Sequence, residues 1–259
     1  MHIALIGGTG IDELPELISG KRLEVLTRFG MCECVEVQLG NRPVVFVPRH
    51  GFGHTIPPSL INYRAQIAGL KKLGVNRIIS VCAVGALISE LEAGSFAILS
   101  DFIDFTKHRP VTFFDEPNSP IAHTDFSQPY CPELRRILVD SCKKRGVTYS
   151  SDAVYVGVDG PRYETPAETR LFASWGGHVV GMTNVPEVVL AREAGICFAA
   201  LAIVCNPACG LADKCLAHED VRKVVRHSAE TAIAILRDAI SQISDTVACD
   251  CGKHAALVV

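Results

Sequence analysis

The chain has 259 residues, of which 48% are hydrophobic and 20% charged, and its net charge is −3. This composition is ordinary for a soluble globular protein, and the length suits one large α/β domain. The absence of an excess of Lys and Arg argues against nucleic-acid binding. No apolar run approaches the roughly 20 residues that cross a bilayer, and the start, MHIALIGGTGI, lacks the basic region of a signal peptide. We therefore expect a cytoplasmic protein that binds neither nucleic acid nor membrane.

Short apolar segments alternate with helical patterns along the chain. The segments are rich in Val, Ile, Phe and Ala and mostly lack polar alternation, as is typical of strands buried on both faces. We predict strands at 2–7, 43–48, 77–85, 96–99, 152–158, 178–182 and 197–204.

Five stretches place apolar residues at helical spacing and carry capping signals at their ends. We predict helices at 62–73, 132–144, from Thr165 onward, at 185–194 and at 219–243. The polar, Pro-rich stretch 100–130 is expected to be a long functional loop. This order predicts a single α/β domain over 1–245, with a central mixed, mainly parallel, twisted sheet flanked by helices.

Eleven cysteines are many for a cytoplasmic protein, and two Cys-X-Cys pairs occur, Cys32/Cys34 and Cys249/Cys251. Neither pair has a partner at the spacing of a structural zinc site, so we predict no metal. Residues 246–259 are expected to form a flexible tail that carries the second pair. For this second pair, free thiols and a disulfide between Cys249 and Cys251 are the two alternatives.

Groups that can bind an anion follow four of the predicted strands. Gly7-Gly8-Thr9-Gly10 follows the first strand, Arg49 and His50 end the second, and small residues from 81 to 85 end the third. Gly181-Met182-Thr183 ends a fourth. Ligands of open α/β sheets bind outside the carboxyl ends of the strands, so these positions suggest one convergent anion site; a plain tight turn at 7–10 and a surface Arg and His at 49–50 are the alternatives.

Four longer motifs carry a resemblance to a known family. They are IGGTGI (6–11), PRHGFGHTIPPSLINYRA (48–65), DGPRYETPAE (159–168) and GMTNVPEVVLAREAGI (181–196). With them, the chain resembles the trimeric purine nucleoside phosphorylases and methylthioadenosine phosphorylases from about residue 3 to 225.

That resemblance implies a nucleoside phosphorylase fold and the transfer of a pentosyl group from a purine nucleoside to phosphate. Phosphate is then a co-substrate, no cofactor or metal is needed, and the chain self-associates as a homotrimer or a dimer of trimers. His123 would reach into the neighbouring subunit's site, and Met182 would lie against the ribose. The phosphate contacts implied by position are Thr9, Arg49, His50, the backbone of Cys82 and Ala83, and Thr183, with Cys82 standing where the methylthioadenosine branch has Thr.

The base edge distinguishes branches of this family. The methylthioadenosine branch has a Thr-Asp-x-Asp pattern where this chain has Cys205-Asn206-Pro207-Ala208. Asn206 can donate its amide N–H to O6 of a 6-oxopurine and accept from N7–H, whereas a carboxylate can only accept. Ala208 removes the second carboxylate.

Across the ring, Glu164 stands where 6-oxopurine enzymes have Glu, and it can accept from N1–H and from a 2-amino group. Its carboxylate would equally suit a helix N-terminus. Tyr163 can face the purine ring or pack as an ordinary aromatic residue.

His218 resembles the His that meets the ribose 5′-hydroxyl in 6-oxopurine enzymes. The resemblance accordingly predicts Asn206, Glu164 and His50 as catalytic residues and phosphorolysis of inosine or guanosine as the function. The alternatives are a methylthioinosine phosphorylase, then a methylthioadenosine phosphorylase. A non-catalytic nucleotide-binding or redox-sensing protein is the rival from another class.

Overall fold

Nine strands form the centre of the molecule, which is a computed structural model that describes residues 2–212 and 217–254. The strands are β1 (Ile3–Gly7), β2 (Lys21–Thr27), β3 (Gly30–Leu39), β4 (Arg42–Pro48), β5 (Arg77–Ala86), β6 (Phe96–Asp104), β7 (Tyr149–Gly157), β8 (Val179–Gly181) and β9 (Cys197–Pro207).

The sheet is open at one end and closes on itself at the other. Its order is β2-β3-β4-β1-β5-β8-β7-β6-β9, and β9 also pairs with β5. Strands β5, β8, β7, β6 and β9 therefore form a closed ring. Strand β1 pairs in parallel with β4 and β5, whereas β3 pairs with β4 and β6 with β9 in antiparallel fashion. The predicted single α/β fold with a mixed sheet is confirmed.

The hairpin of β2 and β3 was not predicted, because its strands do not look like the others. They alternate exposed and buried residues, since one face of the hairpin meets solvent. Cys32 and Cys34 lie two residues apart in β3, so both side chains point to the same buried face. A Cβ added to Gly69 of the helix that covers this face would lie 2.4 Å from the Cβ of Cys32, which shows how closely helix and hairpin pack.

Six helices pack around the sheet within the described residues: α1 (Pro15–Ile18), α2 (Tyr63–Lys72), α3 (Pro132–Arg145), α4 (Pro166–Ser174), α5 (Asn184–Glu193) and α6 (His218–Gln242). All but the short α1 were predicted, because they carry strong end signals. Asn62 accepts a hydrogen bond from the Ala65 N–H at the start of α2, and Thr165 and Glu168 form a capping box on α4.

Two apolar layers hold the helices on opposite faces of the sheet. Side chains of α2 and α5 belong to one buried cluster, and side chains of α1, α3 and α6 belong to the other. No helix among residues 2–212 and 217–254 is long and apolar enough to cross a membrane.

The segment after α6 packs against the body of the protein over the part that is described. Arg77 donates to the Thr246 carbonyl at 2.6 Å, and Cys251 is buried at the start of a 3₁₀ turn, Cys251–His254. The expectation of a flexible tail from residue 246 differs from this arrangement. The physical reason is that Cys251 buries its side chain beside the apolar cluster of α3 and α6.

Candidate active site

A cavity of about 430 Å³ opens at the carboxyl ends of the strands. Its walls come from the turn after β1, the end of β4 with residues 54–58, the end of β5, the end of β8 and the end of β9. Residues at the start of α6 close one side. This is the place that α/β topology favours for a ligand, and it brings together segments that lie far apart in the sequence.

Ten of the side chains or backbone positions singled out in the sequence line this cavity: Thr9, Arg49, His50, Ala83, Tyr163, Glu164, Met182, Thr183, Asn206 and His218. Three others do not line it: Cys82, Ala208 and His123.

Each of these three has a physical reason for lying elsewhere. Cys82 alternates with Ala83 along β5, so its side chain points into the apolar cluster on the other face, where burial raises the pKa of the thiol to about 12. Ala208 lies behind the cavity wall, with its N–H donated to the Ala86 carbonyl at 2.7 Å. His123 is exposed in the long loop after β6.

Arg49 is fully buried at one end of the cavity and is held by a dense network. Its Nε and Nη2 donate to the two carboxylate oxygens of Glu187, and Nη2 also donates to the Ser80 hydroxyl at 2.7 Å. The Ser80 hydroxyl in turn donates to Glu187 at 2.8 Å. Burial lowers the pKa of Arg49, but the Glu187 carboxylate outweighs burial and raises that pKa above its usual value.

The network determines which part of Arg49 can meet a ligand. Nη1 donates one N–H to the Val81 carbonyl at 3.0 Å. Four of the five guanidinium N–H groups are thus accounted for, and the fifth is on Nη1. A Cβ on Gly8 would lie 2.8 Å from Nη1 and 2.9 Å from Cδ2 of His50. Glycine at this position therefore keeps the space between the turn after β1 and both side chains open.

His50 is held in its neutral form. Burial lowers its pKa, and the adjacent Arg49 charge lowers it further, to about 4. Its Nδ1 lies 2.8 Å from the Ile56 carbonyl, which can only accept, so Nδ1 carries the proton. In neutral imidazole Nε2 is then a hydrogen-bond acceptor.

Two further polar residues, Glu164 and Asn206, line the cavity. Glu164 is 7% exposed, and one of its oxygens accepts the Cys209 N–H at 3.1 Å. Asn206 is half-buried at the end of β9 and donates one amide N–H to the Pro207 carbonyl at 2.7 Å. The other Asn206 N–H is a further donor, and the Asn206 side-chain oxygen and the second Glu164 oxygen are acceptors.

His218 begins α6 and also lines the cavity. Its Nδ1 lies 3.3 Å from the Tyr163 hydroxyl. Burial lowers its pKa, and the positive fields of His54 and Arg222 lower it further. Val221, one helical turn later, also lines the cavity and gives this side an apolar surface.

Several residues that shape the site were not singled out in the sequence. Glu187 looks like an ordinary helical carboxylate there, because nothing local shows that it pairs with Arg49. His54 stacks on His50 with ring centroids 4.3 Å apart, and its Nδ1 lies 2.8 Å from a carboxylate oxygen of Asp12. In the sequence, the only signal for His54 was that a second histidine follows closely after His50.

Comparison with known proteins identifies relatives over nearly the whole chain. Residues 2–241 match the family model described as "Phosphorylase superfamily". The 6-oxopurine nucleoside phosphorylase of Pyrococcus furiosus is 43% identical over 96% of both chains. The probable S-methyl-5′-thioinosine phosphorylase of Methanopyrus kandleri is 41% identical, over 97% of this chain and 96% of its own length.

A solved structure shares the fold. The methylthioadenosine phosphorylase of Schistosoma mansoni in complex with adenine superposes with a TM-score of 0.88. It is 32% identical, and the match covers 93% of this chain and 91% of that chain.

The Glu187→Gln substitution tests the Arg49 network. Removing the charge that compensates a buried guanidinium should destabilise the protein by about 3–5 kcal/mol, measured by denaturant unfolding. The matched control is Asp140→Asn, which breaks an exposed pair with Arg136 and should cost less than about 0.5 kcal/mol. Equal, small effects of both substitutions would contradict a structural role for the buried pair.

Proposed function

The chain belongs to the phosphorylase superfamily, and within that family we propose that it is a 6-oxopurine nucleoside phosphorylase. It would convert inosine or guanosine and phosphate into free base and ribose 1-phosphate, as a step of purine salvage. The observation that carries this proposal is that Glu164 and Asn206 line the same cavity as Arg49 and His50. One end of the cavity thus suits a keto-bearing purine, and the other suits an anion.

The polarity of hydrogen bonds favours a 6-oxopurine over an adenine. Inosine presents a donor at N1–H and an acceptor at O6. A Glu164 carboxyl oxygen supplies an acceptor for the first, and an amide N–H of Asn206 supplies a donor for the second. Adenine has the reverse polarity at both positions. A site built on such pairs rejects the wrong analogue by about 10⁴–10⁵-fold because its buried polar groups would be left unpaired.

Phosphate fits the end formed by Arg49 and His50. The remaining Nη1 N–H of Arg49 and the hydroxyls of Thr9 and Thr183 are donors, and Ala83 lines the same cavity. The hydrogen phosphate dianion carries one P–OH group, and neutral Nε2 of His50 is an acceptor for it. Phosphate is a co-substrate in this proposal, and the reaction needs no cofactor.

In the proposed reaction, one bond to C1′ breaks and a new bond to C1′ forms on the opposite face. The C1′–N9 bond breaks with its electrons moving into the purine, and a phosphate oxygen forms the new bond to C1′ from the opposite face. The departing base takes up one proton, which is balanced by loss of the proton of the phosphate P–OH group. Asn206 stabilises the charge that grows on the base through N7 and O6. The phosphate dianion stabilises the cationic sugar, so catalysis rests on positioning and electrostatics.

The sugar end separates this proposal from a second candidate, a methylthioinosine phosphorylase. His218 offers a polar partner for a 5′-hydroxyl, whereas the neighbouring Val221 offers an apolar surface for a methylthio group. The relatives include proteins named for both activities. We favour the hydroxyl, because the imidazole of His218 can hydrogen-bond a 5′-hydroxyl but has no comparable interaction with a methylthio group.

Self-association as a homotrimer or a dimer of trimers is part of the proposal. The loop after β6 lines a surface groove of about 630 Å³ that includes Val111 and Ile121, and Ile121 is 86% exposed. Exposed apolar residues grouped in this way mark interaction sites. His123 lies between them and the end of the loop, where it would act on a neighbouring subunit.

The Asn206→Asp substitution tests the base contact. Exchanging the amide for a carboxylate removes the donor to O6, so kcat/KM for inosine should fall by about 10²–10³-fold, and turnover of adenosine should appear or rise. Asn206→Ala is the control, because it removes both contacts and should lower activity without a gain on adenosine. An unchanged inosine-to-adenosine ratio in Asn206→Asp would remove this residue from the specificity argument.

The His218→Val substitution tests the sugar contact. Loss of the hydroxyl partner should lower kcat/KM for inosine by about tenfold or more, while 5′-methylthioinosine should be affected less. Parallel assays of both nucleosides measure the difference. Equal losses for the two substrates would count against a contact between His218 and the 5′-hydroxyl.

Light scattering tests the assembly. The unsubstituted chain should have three or six times the mass of one chain, and Ile121→Asp should shift it toward smaller species because a charge would be buried in the contact. Leu26→Asp, at another exposed apolar residue, is the control and should leave the mass unchanged. A single-chain mass for the unsubstituted protein would rule out the proposed oligomer.

A further inference from the structure

Four cysteines from three distant parts of the chain meet in space. Cys131, Cys197, Cys249 and Cys251 have sulfur atoms that all lie within 4.8 Å of one another, and we refer to them as the four-cysteine cluster. The Sγ of Cys249 lies 3.2 Å from that of Cys197 and 3.6 Å from that of Cys131. Three of the four side chains are buried, and Cys249 is half-buried.

The arrangement has the dimensions of a tetrahedral thiolate site. Zinc–sulfur bonds of about 2.3 Å in a tetrahedron place the sulfurs about 3.8 Å apart, which falls inside the observed range. A multinuclear iron–sulfur cluster would hold its thiolates further apart, since iron and sulfide ions lie between them. Four soft ligands in a tetrahedron are the preference of Zn²⁺.

Two of the ligands are fixed by the fold before the tail reaches them. Cys131 is the residue before the first turn of α3, and its N–H donates to the Phe198 carbonyl at 2.8 Å. Cys197 is the first residue of β9. The tail then adds Cys249 and Cys251, whose spacing of two residues lets both sulfurs turn to the same point.

The charge around the cluster suits thiolates. Four thiolates and one divalent ion carry a net charge of −2. The positive end of the 14-residue helix α3 begins at Cys131, and the buried Arg192 lies within electrostatic range of Cys251. Both features favour the ionised sulfurs that metal binding requires.

Convergence on one point favours a metal over separate disulfides. Cys249 lies close to both Cys131 and Cys197, and all four sulfurs lie within 4.8 Å of one another, so the cluster does not divide into two separate pairs. A single ion satisfies all four sulfurs at once.

We propose that the four-cysteine cluster binds one Zn²⁺ ion that fastens the C-terminal segment to the start of β9 and to α3. This replaces the expectation of no metal drawn from the spacing of the cysteines, and it does not rest on the proposed function. Cys197 and Asn206 lie near opposite ends of β9, about 30 Å apart at the usual rise of a strand. The ion is therefore structural and takes no part in phosphorolysis.

Metal analysis of the purified protein tests the site. Protein prepared with a reductant and without chelator should contain about one zinc per chain. The double variant Cys249→Ser/Cys251→Ser should lose at least nine-tenths of it. Cys32→Ala/Cys34→Ala is the matched control, because it removes a pair of the same spacing that lies outside the cluster, and it should keep the metal.

Two measurements on the unsubstituted chain do not depend on the folding of any variant. Chelation should lower the melting temperature by several degrees, and added Zn²⁺ should restore it. Co²⁺ in place of Zn²⁺ should give the visible absorption of a tetrahedral thiolate complex. Zinc-free protein with full thermal stability would overturn the proposal, as would a mass deficit showing that these four cysteines form two disulfides under reducing conditions.

Discussion

The buried pair of Arg49 and Glu187 is the interaction on which the rest of the site depends. It ties the end of β4 to α5, and through Ser80 and the Val81 carbonyl it ties both to β5. A guanidinium without a partner could not remain in this position, because burying an uncompensated charge costs several kcal/mol. The pair also orients Arg49 so that a single N–H group faces the turn at Gly8. The positive end of the cavity is therefore fixed before any anion arrives.

The closed ring of strands positions the polar residues that are proposed to contact the base. Because β9 pairs with both β5 and β6, its last residues are held against the end of β5, and Asn206 comes to lie in the cavity wall. Glu164 reaches the same cavity from the segment before α4, whose capping box fixes the chain at Thr165. Donor and acceptor at the base end are thus carried by two separately anchored elements, which makes their polarity a stable feature of the protein.

The same strand connects the site with the four-cysteine cluster, since Cys197 begins β9 and Asn206 lies near its end. A zinc ion at the start of this strand would hold the strand in register without contacting the substrate. Under the two proposals, one end of β9 fastens the chain terminus and the other recognises the base.

The sequence by itself determined the fold class, five of the six helices and ten of the cavity residues, because apolar periodicity, capping residues and long motifs are local signals. It missed the β2–β3 hairpin, whose half-exposed strands follow a different pattern. Only the tertiary structure decided that Glu187 pairs with Arg49, that Cys82 and Ala208 lie behind the cavity wall, and that Cys131 and Cys197 join the C-terminal cysteines. These relations depend on which face of a strand a side chain takes and on contacts between residues as many as 138 positions apart. The spacing of residues along the chain does not indicate such contacts, because the sheet brings together residues that are far apart in the sequence.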